Sequence, residues 1–198
     1  MTGTAFVTFV YPACENQLPR MLASLDSQSD SCFELVVFHD GLNNAEDICS
    51  QFSKRAIKIF NLSGSIPKIR SRGLMHIKQL GYENVIFGDA DDVFSDTRVE
   101  TSKKLLKKFE LVVNDVDVCH SDSSTILPKY FQRRIQSRRC YGWQAIRDYN
   151  FIGFSNTSMR VSNIPEIEFS DSLVAVDWAF FTKVMLTGID AYFTDETS

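Results

Sequence analysis

The sequence predicts an α/β protein with a mostly parallel central sheet and helices on both faces. Three observations predict it. Short runs rich in Val, Ile and Phe alternate with segments whose apolar residues recur at helical spacing. The runs are apolar throughout rather than on alternate residues, the pattern of strands buried on both faces. Right-handed crossovers between such strands would bring the loops at 12–15, 40–41 and 89–92 to one edge of the sheet, where open α/β sheets bind ligands.

Each element can be justified in order. Ala5-Phe6-Val7-Thr8-Phe9-Val10 is a buried strand, ended by Tyr11-Pro12. Leu18, Met21, Leu22 and Leu25 stand at i, i+3, i+4 and i+7, the stripe of an amphipathic helix. Residues 33–38 form the second strand, closed by His39-Asp40-Gly41; a short helix over about 45–52 and a strand over 56–60 follow. From Ser65, the residues Ile66, Ile69, Leu74, Ile77 and Leu80 mark a helix that stops at Gly81, a residue suited to the left-handed turn beyond a helix. Val85-Ile86-Phe87, bounded by Gly88, is the next strand. Thr97-x-x-Glu100 has the form of a capping box and opens a helix to about residue 109. The second half is less regular. It predicts a strand near 115–120, a basic and aromatic stretch at 129–143, and strand-like residues at 150–161. A helix over about 173–186, ended by Gly188, and a strand at 191–193 complete it. No repeat or Pro/Gly/Ser-rich linker divides the chain, so residues 1–198 read as one domain.

Composition narrows the class. With 44% hydrophobic and 23% charged residues the chain is an ordinary globular sequence, and its net charge of −4 argues against nucleic acid as a partner. No apolar run is long enough to span a bilayer, and the N-terminus lacks the basic flank of a signal peptide. Cys14, Cys32, Cys49, Cys119 and Cys140 form no C-x-x-C pair and read as free thiols in a reducing cytoplasm. Peripheral attachment at the inner face of a membrane stays open.

The chemistry is carried by Asp89-Ala90-Asp91-Asp92. Carboxylates at i and i+2 just past a strand, Asp89 and Asp91, can converge on one cation. Mg²⁺ and Mn²⁺ take oxygen ligands of this kind and share their charge with substrate phosphates; an isolated pair of this type is more often a solvated turn. Asp40 can accept hydrogen bonds from a base edge, or form a plain Asp-Gly turn. Arg70 offers a permanent charge and a fork matched to phosphate oxygens, or a solvated helix face. Glu15 can serve a base or ribose, or favour the start of the helix after it. Cys119-His120 with Asp117 and Asp122 has ligand-type residues without zinc spacing. Residues 129–143 read as a mobile lid offering cations to phosphate and ring faces to a sugar, with a solvated loop as the bland alternative.

In this order the residues resemble the GT-A-fold glycosyltransferases, in particular the inverting family 2 type. Phe6 to Pro12 followed by Glu15 is similar to that family's first strand and "P-x-x-N-E" turn. Glu34-Leu35-Val36-Val37-Phe38-His39-Asp40-Gly41 resembles its "E-hydrophobic-D-G" signature, and Ile69-Arg70-Ser71-Arg72-Gly73-Leu74 its "A-R-N-x-G-L". Phe87 to Asp92 matches the D-x-D-D tetrad, and Val176-Asp177-Trp178 stands where "E-D-W" is usual. The resemblance implies a GT-A, Rossmann-like domain with a nucleotide-binding half (1–100) and an acceptor-side half (101–198). It implies a hexosyltransferase moving sugar from a nucleotide-diphosphate donor, UDP-linked, to a hydroxyl of a glycan or lipid-linked acceptor. By its pattern Pro12 and Glu15 line the nucleotide loop, Asp40 takes the uracil N–H, and Arg70 meets the diphosphate. Asp89 touches the ribose and, with Asp91, holds Mn²⁺ or Mg²⁺; Asp177 is the general base. Ser71 and Val176 depart from the pattern, no histidine follows His120, and the chain stops at Ser198 where family members often continue. These departures sustain an alternative: a non-catalytic GT-A domain that binds nucleotide-sugar or a partner protein. An aspartate-nucleophile hydrolase of the haloacid-dehalogenase type is weaker, since that chemistry wants its pair after the first strand.

Overall fold

The structure, a computed structural model, describes residues 3–42, 44–52, 57–120 and 124–197. Among them ten strands and five α-helices follow in chain order. The first half holds β1 (Thr4–Val10), α1 (Leu18–Asp26), β2 (Glu34–His39), α2 (Ala45–Phe52), β3 (Ile57–Asn61), α3 (Ile66–Leu80) and β4 (Asn84–Phe87). The second holds α4 (Arg98–Leu106), β5 (Leu111–Asn114), β6 (Val118–Cys119), β7 (Thr125–Leu127), β8 (Arg139–Tyr141), β9 (Thr157–Arg160), α5 (Val176–Met185) and β10 (Ala191–Thr194). Eight of the strands form one sheet in the order β3-β2-β1-β4-β9-β5-β10-β8, and β6 and β7 pair separately.

Four of the seven pairings in the large sheet are parallel: β3-β2, β2-β1, β1-β4 and β5-β10. The parallel expectation therefore holds for the first half. In the second half β9 runs antiparallel between β4 and β5, and β8 runs antiparallel along β10. Alternate residues of the strands supply two cores, which is why the strands are apolar on every residue. Val7, Phe9, Val36, Phe38, Val85 and Phe87 pack with α3 and α5 on one face. Phe6, Val10, Leu35, Val37 and Ile86 pack with α1, α2 and Val99 of α4 on the other. Gly73 lets α3 lie close to the sheet, since a Cβ there would sit 2.5 Å from Phe9 Cε1.

Several expectations need correction. The buried run Leu111–Asn114 is the strand, and the Val116/Val118 alternation just after it leads only into the exposed two-residue β6. Residues 150–156 are a buried loop, and the strand begins at Thr157. Helix α5 starts at Val176, later than read, and α4 ends at Leu106. The capping box does not form: Thr97 makes no cap, and Glu100 accepts from Ser29 Oγ at 2.7 Å. Gln28, just beyond α1, does that work, its Oε1 accepting from Val99 N at 2.9 Å. Part of the 129–143 stretch, expected as a lid, is fixed: Arg139–Tyr141 join the sheet edge as β8, and Asp115 anchors the residues before them by accepting from Phe131 N and Gln132 N. Ala56 and Asp122 lie outside the described residues. The five cysteines are free, and no described helix is long and apolar enough to cross a membrane.

Candidate functional site

The carboxyl ends of β1, β2 and β4 are held level by backbone bonds across the sheet. Asp40 N donates to Val10 O at 3.1 Å, and Gly88 N donates to Val7 O at 3.1 Å. The loops that follow these strands therefore share one edge. Gly41 takes the left-handed conformation (φ 64°) that an Asp-Gly turn uses, leaving Asp40 half-buried at the rim. His39 braces that turn, its Nδ1 accepting from Leu42 N, and burial lowers its pKa against the pull of Glu46 and Asp40. Gly88 is wedged where a Cβ would stand 2.4 Å from Phe94 Cζ, which fixes the exit of the chain into Asp89.

Arg70 is the centre of the site. Helix α3 starts at Ser65, whose side chain accepts from Lys68 N, and this start aims Arg70 across the sheet edge. Its Nη1 donates to Asp177 Oδ1, and its Nη2 lies 3.4 Å from Asp89 Oδ1. The guanidinium stands 4.7 Å from the centre of the Phe154 ring and 5.9 Å from that of Phe9. The second oxygens of both carboxylates are taken as well. Asp177 Oδ2 accepts from Phe154 N at 3.0 Å, and Asp89 Oδ2 accepts from Ser155 Oγ at 2.6 Å. Asp177 thus faces the cleft of Asp89 and is not folded back onto the start of α5. The Tyr11 hydroxyl is close enough to feel the charges of Arg70, Asp89 and Asp177, yet has no hydrogen-bond partner of good geometry; Arg70 Nε has none either.

Electrostatics follow from this packing. Burial pushes the Asp89 carboxyl up to about 6, with Asp177 and Asp92 adding to the rise and Arg70 and Ser155 opposing it. Burial also raises Asp92 and Tyr11. For Arg70 burial works against the charge, but Asp177, Asp89 and Tyr11 outweigh it and its pKa rises.

The remaining predicted residues spread along the rim. Pro12 opens a single 3-10 turn, Pro12–Cys14, and the half-buried Glu15 closes it. Asp91 is exposed and makes no hydrogen bond or ion pair with the described residues; its charge reaches Cys14, whose thiol is raised by burial first and Asp91 second. No group of three or more His, Cys, Asp or Glu among the described residues is disposed to hold a metal by itself. Mg²⁺ and Mn²⁺ are commonly held by one or two carboxylates together with substrate phosphates, and the donor set of Asp91 beside Asp89 fits that use. Lys68 and Arg72 face elsewhere, on Glu168 and Ser63 O. Ser71 is buried and ties α3 to the segment before α5, accepting from Phe169 N at 3.1 Å. Val176 is buried in the core, so the apolar residue at that position packs rather than lining the cleft.

A cavity of about 260 Å³ adjoins the carboxylates, walled by Asp92, Asp117, Phe131, Phe151, Gly153 and Ser155 among others. Sequence reasoning missed Tyr11, Phe154 and Ser155. Tyr11 was visible only as the polar end of a strand, and nothing local marks residues 154–155, which the long connection into β9 brings to Asp89.

No family model matches the sequence, and no curated protein matches it. Solved structures do. S. aureus TarS 1-349 superposes with a TM-score of 0.76 at 18% identity, over 98% of this chain and 58% of that one. The same protein in complex with UDP-GlcNAc gives 0.70 at 17%, over 98% and 59%. This chain therefore spans a little over half the length of those TarS chains. The 4-diphosphocytidyl-2C-methyl-D-erythritol synthase from Anaerococcus prevotii gives 0.58 at 13%, over 98% and 87%. With its eight-stranded sheet and the cleft at the carboxyl edge of that sheet, the chain has the GT-A glycosyltransferase fold.

Proposed function

We propose that this chain is an inverting, metal-dependent glycosyltransferase domain that moves a sugar from a UDP-linked donor to a hydroxyl of a glycan or lipid-linked acceptor. One observation carries the reading: Asp177 and Asp89 face each other across Arg70, in a cleft at the carboxyl edge of a GT-A sheet. TarS structures hold UDP and UDP-GlcNAc, which supports a nucleotide-sugar donor here. Asp40 would accept from the base, Pro12 and Glu15 would border it, Asp89 would take ribose hydroxyls, and Arg70 would clamp the diphosphate. Asp91 and Asp89 would hold a divalent ion, which when bound would supply Lewis-acid stabilisation to the nucleotide diphosphate. Asp177 accepts the acceptor hydroxyl's proton as that oxygen bonds to the anomeric carbon. The bond from that carbon to the diphosphate breaks on the opposite face, and its electron pair leaves with the nucleotide, so configuration inverts. The carboxylates of Asp92 and Asp117 around the adjoining cavity favour a neutral, hydroxyl-rich sugar over an acidic one. Free cysteines suit a cytoplasmic site, in solution or at the inner face of the membrane.

A second reading has its own observation: both oxygens of Asp177 are occupied, as befits a domain that binds nucleotide-sugar without transfer. Calorimetry with UDP tests the donor site. Affinity should drop sharply in EDTA and in Asp91→Ala, and equal affinity with and without metal sinks the metal requirement. UDP release from UDP-GlcNAc should fall roughly 10²–10⁴-fold in Asp177→Asn, the range for a lost general base, while UDP affinity does not fall. Unchanged release in that variant returns the chain to the binding-module reading.

A further inference from the structure

We propose that Arg70 is a positioning residue that withholds Asp177 until the donor arrives, so that donor binding itself frees the base. The inference rests on the donor reading above and adds an order of events to it. In the structure both oxygens of Asp177 already accept a hydrogen bond, Oδ1 from Arg70 and Oδ2 from the Phe154 amide, so an acceptor hydroxyl must compete with the Arg70 cation for Oδ1. A carboxylate accepts a hydroxyl proton only through a lone pair that is in reach. The Phe154 amide is backbone and stays where the loop puts it. Arg70 is a long side chain, so it is the group that can yield.

Two features show that its present seat is incomplete. Arg70 Nε is buried without an acceptor of good geometry, and the Tyr11 hydroxyl beside it interacts with the Arg70 guanidinium but makes no well-formed hydrogen bond. Buried donors of this kind are normally satisfied, and leaving them unpaired is costly. An anionic oxygen placed between them would give both donors a better partner than they have in each other. A diphosphate supplies several, and it suits a guanidinium better than two separate carboxylates do, because the fork can be met by two oxygens of one group. The flanking rings of Phe9 and Phe154 give the cation a surface along which to shift without losing all its contacts. Once Arg70 turns to the diphosphate, Asp177 Oδ1 opens towards the cleft, while Oδ2 stays against the Phe154 amide beside Gly153. Donor must then bind before acceptor. Tyr11 acts through Arg70, as the hydroxyl that the turned arrangement satisfies.

Carboxylate labelling tests this. The folded protein is treated with a water-soluble carbodiimide and an amine, with and without saturating UDP, and each peptide is quantified by mass spectrometry. Exposed Glu110, far along the chain from the cleft residues, serves as the reference. Asp177 should label slowly in the free protein and several-fold faster with UDP, while Glu110 does not change. Arg70→Lys, checked for native circular dichroism, removes the fork and should give fast Asp177 labelling with no UDP present. UDP that binds by calorimetry yet leaves Asp177 labelling unchanged or lower, with Arg70→Lys equally protected, overturns the inference and leaves the donor reading standing. No calorimetric binding of UDP overturns the donor reading instead, and fast labelling in Arg70→Lys would still establish that Arg70 shields Asp177.

Discussion

Burial lifts the Asp89 carboxyl from its ordinary 3.8 to about 6, against the opposing pull of Arg70 and Ser155. The folded protein therefore holds that proton more tightly than the unfolded chain does. Stability from this group is full below the unfolded pKa and is lost as pH rises through the folded one. Measured against Asp89→Asn, which does not titrate, metal-free wild type should lose about 1 kcal/mol between about pH 5 and about pH 7. At this chain length that is a melting shift of roughly 2–4 °C. A flat difference between the two proteins across that range would mean that Asp89 is not desolvated. At this scale the sequence was legible where element ends carry acids: Asp40 and Asp89 just past strands, and Asp177 in the first turn of α5, all reach the cleft edge or its centre. It was illegible where the partner is distant. Ser155 hydrogen-bonds Asp89 from 66 residues away. The pairing of Arg70 with Asp177 spans 107 residues, and no local pattern announces it.

Helix α4 shows how an element can be read correctly and explained wrongly. Its existence followed from the sequence, but its start is capped by Gln28 rather than by Thr97. Gln28 is buried, donates to Ser24 O and Ser95 O, and accepts from Val99 N, so one amide fastens the end of α1 to the start of α4. Gln28→Ala should cost about 1–2 kcal/mol, the usual range for losing a cap, lowering the melting temperature by a few degrees in thermal denaturation. Thr97→Ala, by the same measurement, should change it little. Reading Thr97-x-x-Glu100 as a box failed because local spacing cannot reveal a competing acceptor about 70 residues earlier. The same limit hid β8 and blurred the start of β9, with 150–161 reading as strand-like throughout. Thr157-Ser158-Met159-Arg160 is too polar to look like a strand buried between two neighbours, yet its first three residues are fully enclosed.

The molecule as a whole is tied by its middle. Strand β9 bonds to β4 on one side and β5 on the other, so the nucleotide-side sheet and the rest share a continuous hydrogen-bonded surface. One cooperative transition is expected. Trp143 and Trp178 both lie in the second half, while far-UV circular dichroism reports on the whole chain. Tryptophan fluorescence and circular dichroism should therefore give coincident denaturation curves; an earlier fluorescence transition would mean two separately stable halves. The placement of β9 also has a consequence for biosynthesis. Strand β4 leaves the ribosome about 70 residues ahead of the strand that must pair with its open edge, a wait of roughly 4–14 s at ordinary translation rates. During that interval Val85, Ile86 and Phe87 present an unpaired apolar edge on a nascent chain, the kind of edge that invites off-pathway strand pairing before β9 arrives.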